Sequence, residues 1–261
     1  MTDLLDDVVH VNIELSNLCN YSYLHKKCPA STRKEKQIMP RSVVIDILDT
    51  LGKYKYGKGK SIAFYLYNDS MNDPRLFSFL EYAKEKCPEA NKIVGTNGWY
   101  LTENITYELF DAGCTFLLVS SYTDEEHKRL TEIRRKVAQN VKGVSFCIRR
   151  VKSLDNRINS NNNSKSGVCY APLTEILVCP DGRTRLCCID MNQEVPYGDV
   201  GKDGFEKVMI DNHKMLSDLR DELVNGVRNL DLCKRCMYNG RMYGLYKSKS
   251  DPRPCKDLLK G

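Results

Sequence analysis

The chain of 261 residues contains one tryptophan and four histidines. No stretch approaches the ~18 consecutive apolar residues of a membrane-spanning helix. Residues 1–7 are acidic and lack the basic and apolar regions of a secretory signal. A cytoplasmic, reducing location is therefore the expectation, with no membrane partner. Internal repeats are missing as well. The net charge is +6, with basic residues crowded near the end (Lys234, Arg235, Arg241, Lys247, Lys249, Arg253, Lys256 and Lys260). Aromatic and basic residues do not recur as they do in a nucleic-acid-binding module. The basic tail thus reads as a solvated surface, and nucleic acid is not an expected partner.

Cysteine, by contrast, is abundant, at twelve residues. In a reducing compartment such a number points to metal ligands or reactive thiols before disulfides. Hydrophobic content of 41% and charged content of 28% are ordinary for a globular protein. The length suits one full domain plus a smaller one.

Strand and helix signals alternate through the first half. Residues 8–15, 61–66, 92–96, 115–120 and 144–149 read as five strands. Between them run helical stripes: Val43, Val44, Ile47, Leu48 and Leu51 after Pro40, then Leu76, Phe77, Leu80 and Ala83 after Asp73-Pro74. Residues 103–112 and 124–139 give two more helices. No hairpin signal separates these units, so the expectation is an α/β fold, a partial (β/α) barrel of parallel strands. The polar run Asn159-Ser160-Asn161-Asn162-Asn163-Ser164 breaks the pattern. Beyond it, residues 174–179 and 184–188 flank Asp181-Gly182 as a hairpin, and residues 213–225 form a helix. The expected layout is a core at 1–158, a polar loop at 159–167, a small hairpin-plus-helix cluster domain at 168–240 and a basic tail at 241–261.

Two cysteine sets punctuate this layout. Cys19-x5-His25-x2-Cys28 follows the first strand, placing three soft or borderline ligands on a loop at the strand's carboxyl end. Cys169, Cys187 and Cys233-x2-Cys236 flank the hairpin and helix, a unit too small to be stable on its own apolar burial. By count alone these four thiols suit zinc or an iron–sulfur cluster equally. Cys188 competes with Cys187, since adjacent strand residues face opposite ways, and Cys179 lies nearby. Cys87, Cys114 and Cys147 read as buried small hydrophobes.

Together these residues resemble the radical S-adenosylmethionine (radical SAM) superfamily with a C-terminal SPASM or twitch extension. The resemblance rests on Leu18-Cys19-Asn20 and Cys28-Pro29, on residues 67–74 at the position of a Gly-Glu-Pro-type segment, and on Thr96-Asn97-Gly98 and Leu118-Val119-Ser120. Cys169-x2-Pro172, Asp181-Gly182, Cys187 and Cys233-x2-Cys236 complete it. In length and layout the chain is most similar to the small dehydrogenases of aminocyclitol antibiotic pathways.

The resemblance implies two 4Fe–4S clusters. One, on Cys19, His25 and Cys28, would bind S-adenosylmethionine and cleave it to a 5′-deoxyadenosyl radical that takes hydrogen from a small substrate or peptide. The other, on Cys169, Cys187, Cys233 and Cys236, would accept an electron or anchor substrate. It further implies an external donor of flavodoxin or ferredoxin type, Asp69, Asn97 and Ser120 as cofactor contacts, and Arg157 facing substrate or cofactor. Two departures stand out. The family's Cys-x3-Cys-x2-Cys is stretched here, with His25 in place of the middle cysteine, and Asp69 replaces the usual glutamate. Imidazole ligation raises a cluster's potential. A non-radical cluster- or S-adenosylmethionine-binding protein, either a transferase or a partner protein, is thus the alternative; a zinc-stapled binding module is a third.

Overall fold

The fold is taken from a computed structural model, which describes residues 5–24, 28–32, 35–151, 169 and 171–236. In chain order the elements are β1 (His10–Ile13), α1 (Pro29–Thr32), α2 (Arg41–Lys53), β2 (Ser61–Ala63), α3 (Leu76–Lys86), β3 (Asn91–Thr96), α4 (Glu103–Asp111), β4 (Phe116–Ser121), α5 (Asp124–Ala138) and β5 (Ser145–Arg150). There follow α6 (Ala171–Thr174), β6 (Glu175–Val178), β7 (Thr184–Arg185), α7 (Val200–Asp203), α8 (Phe205–Val224) and α9 (Asp231–Lys234). The alternation expected from sequence is present. The helix boundaries have local chemical causes. Thr102 accepts from the Ile105 amide to start α4, and Thr123 with Glu126 forms a full capping box at α5.

The described strands make one seven-stranded sheet in the order β5-β4-β3-β2-β1-β6-β7. All neighbours are parallel except β6 and β7. The sheet stays open, with β5 and β7 as its edges, and so is a partial rather than a closed barrel. Strand β6 is the main difference from the sequence expectation. It does pair with β7 as the hairpin predicted, yet it also lies parallel to β1, with Val11 opposite Ile176 and Ile13 opposite Val178. The C-terminal hairpin therefore extends the main sheet. The expected boundary loop at 159–167 lies outside the described residues.

Side chains alternate across the sheet as strand geometry requires. Val11, Ile13, Ile62, Val94, Leu117, Val119, Phe146, Ile176 and Val178 join the buried core with the helices. The opposite face carries Asn12, Ser61, Ser120 and Arg149; Ser120 and Arg149 are half-exposed, while Asn12 and Ser61 are buried. Helix α8 starts eight residues earlier than the sequence pattern suggested, at Phe205. Gly204, at φ +81°, turns the chain into it, a left-handed conformation natural to glycine. Phe205, Val208, Met209 and Leu216 pack on the main core, while Leu219 and Leu223 belong to a smaller cluster around Cys169, Cys187 and Cys233. One helix thus ties the cysteine unit to the sheet.

Candidate functional site

The first cysteine loop leaves the carboxyl end of β1, where open α/β sheets bind ligands. Asn17 pins both of its ends: Nδ2 donates to the Glu35 carbonyl at 2.7 Å, and Oδ1 accepts from the Gln37 amide at 2.9 Å. The Met39 amide donates to the Leu15 carbonyl at 2.8 Å and closes the excursion. Within it, burial pushes the Cys19 thiol up to about 11, and the nearby Asp69 and Cys28 add to the shift. Cys19, Cys28, Asp69 and Asn97 are thereby gathered at one place. Tyr21, packed against Trp99 and Tyr122, donates its hydroxyl to Glu126 and fastens the loop to the start of α5.

Asp69 is 2% exposed and spends its carboxylate on protein donors. Oδ1 accepts from the Met71 amide at 3.0 Å and from Thr96 Oγ1 at 2.9 Å; Oδ2 accepts from the Asn97 amide at 2.6 Å. Burial raises its pKa despite these donors. Asn97 Nδ2 donates to Asn20 Oδ1 at 2.6 Å, which also accepts from Asn72 Nδ2 at 3.2 Å. Three asparagines therefore knit the cysteine loop to the end of β3 and to the turn at Ser70–Asn72.

The second set converges more tightly. Cys169, Cys187, Cys233 and Cys236 line one apolar cavity with Pro172, Leu223 and Arg228. Burial pushes the Cys187 thiol up to about 12 and Cys233 up to about 11, and each responds to Cys169 and Cys236. The loop carrying Cys187 is shaped by Asp190, fully buried, which accepts from the Glu194 amide at 2.7 Å and the Val195 amide at 3.2 Å. Among the described residues no three His, Cys, Asp or Glu side chains stand close enough to share a single metal ion. Four thiols around an apolar cavity nevertheless suit a thiolate-ligated cluster, whose irons spread the sulfurs apart and displace the thiol protons.

Comparison with known proteins agrees with this geometry. Residues 169–237 match the SPASM model, described as an iron–sulfur cluster-binding domain. An S-adenosyl-L-methionine-dependent 2-deoxy-scyllo-inosamine dehydrogenase from Niallia circulans is 25% identical over 232 residues, covering 87% of this chain and 91% of the relative. The crystal structure of BtrN in complex with AdoMet and 2-DOIA superposes with a TM-score of 0.70 at 22% identity, covering 92% of this chain and 97% of that one. Native anSMEcpe with bound AdoMet gives a TM-score of 0.55 at 14% identity, over 90% of this chain and 91% of that one.

The chain shares the fold of the AdoMet-bound BtrN structure and matches the SPASM model over residues 169–237.

On this fold the expected site residues are only partly brought together. Cys19, Cys28, Asp69 and Asn97 are brought together; Ser120, half-exposed near the end of β4, follows Val119, the register partner of Thr96. Cys169, Cys187, Cys233 and Cys236 share their cavity, whereas Cys188 is not among its lining residues. His25 and Arg157 lie outside the described residues. Sequence reasoning missed a buried polar group between the two sites. Arg185, fully buried, donates from Nε to Cys179 Sγ at 2.8 Å and lies 5.0 Å from the Tyr67 ring centroid. Tyr67 in turn donates its backbone amide to Glu14 Oε1 at 3.3 Å and its hydroxyl to the Cys188 carbonyl. A lone arginine between two strand residues carries no sequence signal of burial. Arg228, on the wall of the cysteine cavity, was missed because a single arginine in a connection carries no signal of what it lines.

Proposed function

We propose that this chain is an S-adenosylmethionine-dependent oxidoreductase of the dehydrogenase type, acting on a small hydroxylated substrate. The observation that carries the reading is the four-cysteine cavity built onto the same sheet, beside the strand that leads into the first cysteine loop. The similarity to the Niallia circulans dehydrogenase over nearly the full length of both chains supports it. In this reading Cys19, Cys28 and His25 hold one 4Fe–4S cluster, and Cys169, Cys187, Cys233 and Cys236 hold the auxiliary one. Loaded, they supply reductive cleavage of S-adenosylmethionine and a one-electron acceptor. The chain's own contribution is orientation. Asp69 and the asparagine trio fix the first loop against β3. Ser120 and Arg149 offer polar contacts on the face of the sheet away from the helices, where a polyol such as an aminocyclitol would lie. Arg157 is proposed to face that substrate, and an external flavodoxin-type donor to supply the reducing electron.

Asp69 gives specific support to a second reading. With its carboxylate engaged by Met71, Thr96 and Asn97, it has little left for the amino group of S-adenosylmethionine. A non-radical descendant that keeps its clusters would tolerate this. Anaerobic reconstitution followed by dithionite and S-adenosylmethionine separates the two. About eight irons per chain with formation of 5′-deoxyadenosine is the expected result. Eight irons without 5′-deoxyadenosine would establish the second reading instead, and zinc without iron would overturn both.

A further inference from the structure

Arg228 occupies a distinctive place on the wall of the cysteine cavity. It lies in the short connection between α8 and α9, half-buried, and lines the cavity together with all four cysteines. Its Nη1 donates to the Cys236 carbonyl at 2.9 Å and reaches the Cys233 carbonyl at 3.5 Å. The guanidinium therefore spans the Cys-x2-Cys turn, and it is the one charged side chain among the residues lining that cavity. The Asp190 carboxylate, which also acts on Cys233, accepts from the amides of Glu194 and Val195.

We infer that Arg228 is a positioning residue that raises the reduction potential of the auxiliary cluster, holding its Cys233–Cys236 turn while setting a fixed positive charge beside it. The inference rests on the proposed function, because it requires a cluster in this cavity. The physical reason is direct. A cluster bound by four thiolates becomes more negative when it takes up an electron, and a fixed cation in a low-dielectric wall stabilises the reduced form. A guanidinium suits the task because it stays charged at any relevant pH, and here its Nη1 alone reaches both carbonyls. A cluster placed to receive an electron benefits from that bias, whereas a purely structural one does not need it.

The test is a mediator-coupled redox titration of the full-length chain, reconstituted anaerobically in a Cys28→Ala background so that only the auxiliary cluster contributes. One electron passes from the mediator pool to the cluster, and no bond forms or breaks. Arg228→Gln keeps a donor and loses the charge; Arg228→Lys keeps the charge on a shorter side chain. We expect Arg228→Gln to hold about four irons and to favour the reduced state at least tenfold less, which is about 59 mV for a one-electron couple. Arg228→Lys should remain nearer to the parent. An unshifted potential in Arg228→Gln with full iron would overturn the inference alone. Equal potential shifts in both variants, or equal loss of iron, would overturn it too, since Arg228 would then be only an anchor. A parent chain holding zinc and no iron here would sink the inference and the proposed function together.

Discussion

Asn20 and Asn97, separated by 77 positions, are joined by a 2.6 Å hydrogen bond from Nδ2 of Asn97 to Oδ1 of Asn20. That bond locks the cysteine loop to the end of β3, and Asp69 locks the following turn to the same place through the Asn97 amide. Asp69→Ala would leave the Asn97 and Met71 amides and the Thr96 hydroxyl buried without their acceptor. At about 1–3 kcal/mol for a buried unsatisfied group, a loss of roughly 3 kcal/mol is expected, read as a lowered urea midpoint with an unchanged slope. Asp69→Glu, which installs the residue usual in the superfamily that the sequence resembles, should also destabilise the chain, because a longer carboxylate does not fit among three donors already in place. A more stable glutamate variant would show that the pocket has room for it.

Cys187 and Cys188 are adjacent, and only the first lines the cysteine cavity. The Cys188 carbonyl is instead held by the Tyr67 hydroxyl. Cys187→Ser is therefore expected to lose about four irons per reconstituted chain, and Cys188→Ser to keep them. Iron and acid-labile sulfide analysis decides between them; the reverse outcome would exchange the two ligand assignments.

Much of this arrangement was legible in the sequence because it is local. Helix stripes such as Val43, Val44, Ile47, Leu48 and Leu51, and the Asp181-Gly182 turn, are written in neighbouring residues. Gly182 sits at φ +83°, and a Cβ there would come within 2.9 Å of the Gly201 amide nitrogen, so glycine is required. The pairing of β6 with β1 was not legible, because parallel partners lie far apart and no turn announces them. Nor was the fate of single charges. Arg185 and Lys92 read as surface residues by type, and their burial depends on acceptors that only the folded chain assembles.

Lys92 turns that observation into a prediction. Its side chain is 2% exposed, and Nζ donates to the carbonyls of Cys87, Pro88 and Ala90 at 3.1, 3.1 and 2.9 Å. These carbonyls follow the end of α3, where a helix leaves acceptors without intrahelical donors. Lys92→Met preserves the apolar stem and removes the ammonium. A loss of about 1–3 kcal/mol is expected, with hydrogen exchange accelerating first at the end of α3. The buried Ala90 carbonyl loses its donor, while the Cys87 carbonyl keeps the Ala90 amide and the Pro88 carbonyl is only part-buried. A variant as stable as the parent would mean that water satisfies these carbonyls.

His10 and Glu175 start adjacent strands as register partners, and burial moves them in opposite directions. His10 is pushed down from its ordinary 6.5 to about 4. It stays neutral in the fold between those values while the unfolded chain takes up the proton, so its contribution is lost as pH falls through that window. Glu175 is pushed up from 4.5 to about 7. It stays protonated in the fold while the unfolded chain ionises, so its contribution is lost as pH rises. Between pH 4.5 and 6.5 the two slopes oppose each other, each limited to about 1.4 kcal/mol per pH unit for one proton. Relative to the parent, His10→Gln should therefore lose stability as pH rises across this interval, and Glu175→Gln should lose it as pH falls. Urea denaturation at several pH values measures both slopes. Parallel curves for the parent and both variants would mean that neither group is shifted by folding.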